Sequence, residues 1–139
     1  MRRLLLITGV LAALASSSCK KAIEEKQKQL ILQAMTEGRW YVELYKDTTA
    51  DVTGDFFGYE FQFYEDNKVD GIYNSVTRST GAWSADISSY SIIANFPASA
   101  GDTLRRLNYT WKLTDSYTNY VEAKTTTANG ENILHLRKK

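Results

Sequence analysis

From Gly38 to the end of this 139-residue chain, apolar and mixed positions alternate almost without interruption. A period of two belongs to extended strands with one buried face, and it constrains the fold more than any other feature here. The predicted strands are Arg39–Lys46, Phe57–Glu65, Lys68–Asn74, Arg78–Asp86, Ser89–Phe96, Leu104–Thr114, Asn119–Thr127 and Asn132–Lys138. Turn chemistry separates them at Asp66-Asn67, Ser88, the loop from Pro97 to Asp102, Asp115-Ser116 and Asn129-Gly130, the last a strong signal for a tight hairpin. The chain's single proline lies in one of these breaks.

The apolar parity reads Trp40, Val42 and Leu44, then Tyr59, Phe61 and Phe63, then Trp83, Ala85 and Ile87. It continues through Tyr90, Ile92, Ala94 and Phe96, Tyr109, Trp111 and Leu113, Val121 and Ala123, and Leu134 and Leu136. Eight sequential strands with short connections favour an all-β fold, an eight-stranded antiparallel up-and-down barrel. An even count lets the last strand close antiparallel on the first and removes both exposed edges. A two-sheet sandwich with Greek-key crossings is the structural competitor. It needs a long crossover, and the one early loop long enough, Asp47 to Phe56, joins neighbours.

The first 37 residues follow other rules. Met1-Arg2-Arg3 precedes an apolar run from Leu4 to Ala15, then Ser16-Ser17-Ser18 and Cys19, the chain's one cysteine. Such a run is too short to cross a hydrocarbon core, which takes about 20 residues, but it suits an export signal. The segment resembles a bacterial lipoprotein signal. That resemblance implies cleavage after Ser18 and a diacylglycerol on Cys19, although Ser16 stands where a branched aliphatic residue is usual. The competing readings are a membrane anchor and a plain secretory signal, the latter leaving an odd thiol in an oxidising compartment. Three segments are expected: a signal peptide over 1–18, a lipidated cysteine and helical stalk over 19–37, and a barrel domain over 38–139. Ile23, Leu30, Ile31, Ala34 and Met35 lie mostly on one helical face, and Gly38 is placed to end the helix. Lys20 after the cysteine favours the outer membrane of a bacterial cell envelope by analogy with known sorting rules.

Losing Arg2 and Arg3 with the signal turns 17 basic against 16 acidic residues into 15 against 16. A nearly neutral domain has no basic excess for a phosphate backbone, so nucleic-acid binding is set aside. With Cys19 lipidated no disulfide is available, and a hydrophobic core alone must hold the fold.

Gly38-Arg39-Trp40, after a short helix and at the head of the first strand, resembles the opening motif of lipocalins and related calycins. Phe57-Gly58-Tyr59 to Phe63 and Gly81-Ala82-Trp83-Ser84 add to the likeness, so the mature chain looks like a small bacterial lipocalin-like lipoprotein. It is shorter than typical members and lacks their long helix after the barrel. In that family a basic residue of the last strand packs over the tryptophan, and the resemblance gives this role to Arg137, with a cation–π contribution of roughly 0.5–2 kcal/mol.

The resemblance also implies a pocket for a small hydrophobic molecule, lined by Tyr59, Phe61, Trp83, Phe96, Tyr109 and Trp111 near an open end where Gly71, Gly81, Ala85 and Ala94 leave room. Those same rings can instead fill an eight-stranded lumen. Chemistry has no visible carrier. His135 is the sole histidine and points outward, the series Asp47, Asp51 and Asp55 lacks calcium-loop spacing, and no carboxylate takes an inward position. No enzyme activity, cofactor or metal is therefore expected. The second functional reading is a protein-interaction module, an inhibitor or accessory subunit of an envelope complex. It rests on the outward set Tyr41, Tyr45, Tyr64, Ile72, Tyr73, Ile93 and Tyr120.

Overall fold

A computed structural model describes the backbone of residues 2–139 and the side chains of residues 19–139. The side chains of the expected signal segment, 1–18, lie outside the described residues. Helix α1 (Arg2–Thr36) leads into β1 (Trp40–Asp47), a two-residue extension β2 (Ala50–Asp51) and a 3₁₀ turn over Thr53–Phe56. Then come β3 (Tyr59–Phe63), β4 (Lys68–Tyr73), β5 (Val76–Asp86), β6 (Ser91–Asn95), the short helix α2 (Asp102–Arg105), β7 (Thr110–Tyr117), β8 (Tyr120–Thr127) and β9 (Gly130–Lys138).

Each strand pairs antiparallel with its neighbour, and the sheet closes between β1 and β9 from Trp40 opposite Lys138 to Lys46 opposite Ile133. An eight-stranded antiparallel barrel with one helix before it and one extra short strand is the result. Trp40, Phe61, Phe63, Trp83, Trp111, Val121, Leu134 and Leu136 are all buried on the inner face, as the alternation required.

One residue expected outside, Tyr45, is inside. A β-bulge between Val42 and Leu44 swaps the parity of β1, so Tyr45 is buried at 1% exposure and Leu44 is displaced toward the wall. A second irregularity, opposite Gly71 and Ile72, leaves Arg78 as the extra residue on β5, while Ile72 keeps its place opposite Glu60 and is buried apart from the barrel core. One extra residue on one strand shifts every following side chain to the other face.

The helix closes the lower end, where β1 begins. Its last carbonyls lack intrahelical partners, and side chains of the barrel supply them. Lys138 Nζ donates to the Ala34 carbonyl at 2.7 Å, Trp40 Nε1 to Met35 at 3.0 Å and Gln62 Nε2 to Thr36 at 3.2 Å. Gly38, at φ +76°, then turns the chain into β1. Met35 is buried in the core, with Ile31 and Leu32 packed against it, so the C-terminal turns of α1 dock on the barrel.

The basic residue over Trp40 is Lys138, its Nζ 5.0 Å from the ring centre, and this corrects the role assigned to Arg137. Parity is the cause. Leu136 points inward, so Lys138 does too, while Arg137 lies on the outer wall. There it forms a forked ion pair with Glu43 at 2.7 and 3.1 Å and sits 4.5 Å from the Tyr120 ring centre.

The expected strand from Leu104 to Thr114 starts later, at Thr110. Residues 98–108 fold instead into two helical turns that sit in the upper mouth, with Leu104 and Leu107 buried. Tyr45 donates its hydroxyl to the Arg106 carbonyl at 2.6 Å, and the Asn108 amide brackets the Phe96 backbone at 2.6 and 2.9 Å. The Arg106 guanidinium lies 3.0 Å from the Asp55 carboxylate, close but not aligned as a hydrogen bond.

Candidate functional site

The lumen is the first place to look for a ligand, and it is nearly full. A cavity of about 40 Å³ remains, lined only by apolar side chains, among them Phe61, Phe63, Phe96, Leu107, Trp111 and Leu136. Ligand pockets run to about 300–1,000 Å³, and an engineered apolar void that binds benzene measures roughly 150 Å³. The room expected near the glycines is occupied. A Cβ on Gly71 would meet Leu104 at 2.9 Å, and one on Gly81 would meet the Asn95 carbonyl and Phe96 at 2.7 and 2.9 Å.

Of the six expected lining residues, Phe61, Phe96 and Trp111 reach the cavity. Trp83 is buried lower down, edge-on to Phe63 and donating Nε1–H to the Tyr64 carbonyl at 2.9 Å. Tyr109 precedes β7, is 38% exposed and packs edge-on against Trp111 from the rim. Tyr59 lies in the wall. Trp83 and Tyr109 depart from the expectation because strand parity assigns a face and says nothing of height along the barrel, and Tyr59 does so because it borders the gap between β1 and β3.

A larger space crosses the wall between β1 and β3. These strands pair at one position, Trp40 opposite Phe61, and part above it. The gap is a slot of about 420 Å³. Val42, Phe56 and Tyr59 line it from the inner parity, and Tyr41, Glu60 and Lys139 from the outer one. Phe57, Gly58, Asn74 and Ser75 frame its upper end. The loop before β3 makes this possible. Phe56 turns inward, stacks on Tyr45 at 5.3 Å and lines the inner side of the slot, while the adjacent Phe57 is left 73% exposed.

Gly58 is obligatory at this rim. Its φ of +86° suits glycine, and a Cβ there would lie 2.9 Å from the Tyr73 ring and 3.0 Å from Asn74 Oδ1. Tyr59 and Tyr73 face each other at 5.0 Å, and the β4–β5 turn puts both Asn74 and Ser75 in the left-handed region at φ +48° and +67°. Glu60 is bridged by Lys139 and by Arg39 at 3.2 Å, and these two hydrogen-bonded cations, Lys139 first, hold its carboxyl below the usual range. It is an ionised, fully partnered group at neutral pH. Nothing in the sequence pattern pointed to this slot, because it exists where two neighbouring strands fail to pair.

A smaller recess of about 230 Å³ runs under the helix between Leu30, Ala34 and Met35 and the lower ends of β7 and β8. Among the described residues no three of His, Cys, Asp and Glu stand together as metal ligands. Asp51 instead accepts from the Thr53 amide at 3.0 Å and hydroxyl at 2.6 Å. Nor does any helix of the described residues have the length and apolarity to cross a membrane, which leaves strands out of account. His135 faces outward, beside the Tyr120 hydroxyl at 3.1 Å.

The barrel is similar to that of a DUF4847 family protein from Bacteroides vulgatus. The two superpose with a TM-score of 0.54 over 78% of this chain and 97% of the other, at 11% sequence identity. A likeness at that identity concerns the fold. No family model matches the chain, and no curated protein does.

Proposed function

We propose that this is a lipid-anchored binding protein of the bacterial envelope, without chemistry of its own, whose barrel is a filled scaffold and whose recognition surface is the wall slot. The observation that carries this reading is the contrast in volume: about 420 Å³ in the slot against 40 Å³ in the lumen. Of these two, the slot is the one of ligand size. The Gly38-Arg39-Trp40 opening and the closed barrel support a lipocalin-like binding protein, but with its site moved from the lumen to the wall. Anchoring by Cys19 suits this placement. A helix from Cys19 to Thr36 rises about 25 Å and meets the barrel at its lower end, whereas the slot lies above the Trp40–Phe61 pair and reaches Phe57, Asn74 and Ser75. The anchored protein then presents the slot away from the bilayer.

Two measurements test the two halves. Replacing Cys19 by serine should move the protein from the membrane pellet to the soluble fraction and remove the diacylglycerol mass from its N-terminal peptide, because one acyl chain binds marginally and two or more hold firmly. Serine-bearing protein that stays in the pellet would end the anchoring reading. For the slot, native mass spectrometry of full chain purified from its host should show extra mass that Phe57→Ala no longer carries. Mass retained by Phe57→Ala but lost on blocking the recess under the helix, as in Ala34→Trp, would place the ligand elsewhere.

A further inference from the structure

We infer that the wall slot takes a neutral polyhydroxylated ring, a carbohydrate unit that lies on Phe57 and hydrogen-bonds to the polar tips around it; this rests on the slot being the recognition surface. A pyranose has apolar C–H faces and a rim of hydroxyls, each both donor and acceptor, and the slot mirrors both parts. Phe57 offers an open aromatic face, 73% exposed although the adjacent Phe56 is buried, and Tyr59 continues it inward. An amphipathic ring binds to such a platform through its flat side and leaves its edge for polar contacts.

The edge is provided for. The side chains of Tyr41, Tyr59, Asn74 and Ser75 line the slot, and none of them bonds to another described side chain or carbonyl. Outside the slot the hydroxyls of Tyr45, Tyr64, Tyr90 and Tyr120 have protein partners, while Tyr73, Tyr109 and Tyr117 have none among the described residues. Three hydroxyls and a carboxamide supply donors and acceptors without charge, which is the set a polyol can satisfy at several points at once. Asn74 and Ser75 reach this position only through a turn with two consecutive left-handed residues, neither a glycine. That conformation is held by the Asn74 amide donating to the Gly58 carbonyl at 3.1 Å, so the platform and the polar rim are fixed to each other.

Charge selects against the alternatives. Glu60 is bridged by Lys139 and Arg39, so an anionic ligand would displace one of those cations from Glu60 or lie against its carboxylate. A cationic ligand would face both cations. The volume admits about one or two six-membered rings and not a folded protein segment.

Saturation-transfer NMR on the full chain in detergent micelles tests this, with maltose, cellobiose and chitobiose as probes and indole as a flat apolar control. At least one disaccharide should receive saturation at its ring protons, weakened about tenfold or more in Phe57→Ala and again in Asn74→Ala, with Arg137→Ala as a surface control that leaves it unchanged. Circular dichroism of each variant keeps loss of binding separate from loss of fold. Transfer to indole alone, abolished by Phe57→Ala, overturns the carbohydrate assignment and leaves the slot as a binding site for apolar rings. No transfer to any probe overturns both, as does disaccharide transfer that Phe57→Ala and Asn74→Ala do not alter.

Discussion

Trp40→Ala should lower stability by about 3–5 kcal/mol, and Lys138→Met by about 1.5–3 kcal/mol, while Arg137→Ala shifts the melting midpoint least of the three. Trp40 is fully buried where the barrel closes, opposite both Lys138 on β9 and Phe61 on β3. Its removal empties a large volume at the seam and also strands the Met35 carbonyl, which its Nε1–H satisfies in the buried interior. A domain of this size has about 5–15 kcal/mol in total, so the alanine variant sits near the edge of folding. Lys138→Met keeps most of the side chain's apolar length but loses the charge-assisted bond to Ala34 and the charge over the indole. Arg137 is bonded to Glu43 on the exposed wall, where water replaces much of what is lost. Urea denaturation of the four proteins, followed by indole fluorescence, gives the order directly. If Arg137→Ala proves more damaging than Lys138→Met, the assignment of Lys138 to the tryptophan is wrong.

How much of this was legible in the sequence depends on which kind of information each residue carries. Strand parity is written locally, and Trp40, Phe61, Phe63, Trp111, Leu134 and Leu136 took the inner face that alternation gave them. Parity also gives Lys138 over Arg137 beneath Trp40, once Leu136 is taken as inward. The bulge at Val42/Leu44 was invisible, since an unpaired residue leaves no mark on composition, and it accounts for Tyr45. Leu104 and Leu107 carry a spacing of three that fits a helical turn, with Asp102 at its start and Arg105 at its end, so the upper plug had a signal that the alternating reading overrode.

The candidate site was the least legible part for a physical reason. Phe57, Tyr59, Glu60 and Asn74 are each ordinary in a strand or turn. What brings them together is a non-local event, the parting of β1 from β3 above Trp40. A sequence states which face a residue takes far more clearly than which pair of neighbours separates, and wall sites in closed sheets are hidden from it accordingly.

Leu104→Ala and Gly71→Ala should each destabilise the protein, by about 2–5 and about 1–3 kcal/mol, and the double variant should lose less than their sum by about 0.5–3 kcal/mol. Leu104 is 0% exposed and its two methyl groups rest on Gly71, where a Cβ would come within 2.9 Å of both. Truncating the leucine therefore leaves a hole at the upper mouth, and adding a methyl to the glycine drives the plug outward. Together they exchange one methyl for part of the lost isobutyl group. Gly71 has no positive φ, so backbone strain contributes nothing to the cost of its alanine, and the coupling reports the side-chain contact alone. Strict additivity in denaturant unfolding would mean that Leu104 does not occupy the glycine's space, that the mouth is open in solution, and that the lumen rather than the wall should be searched for the ligand.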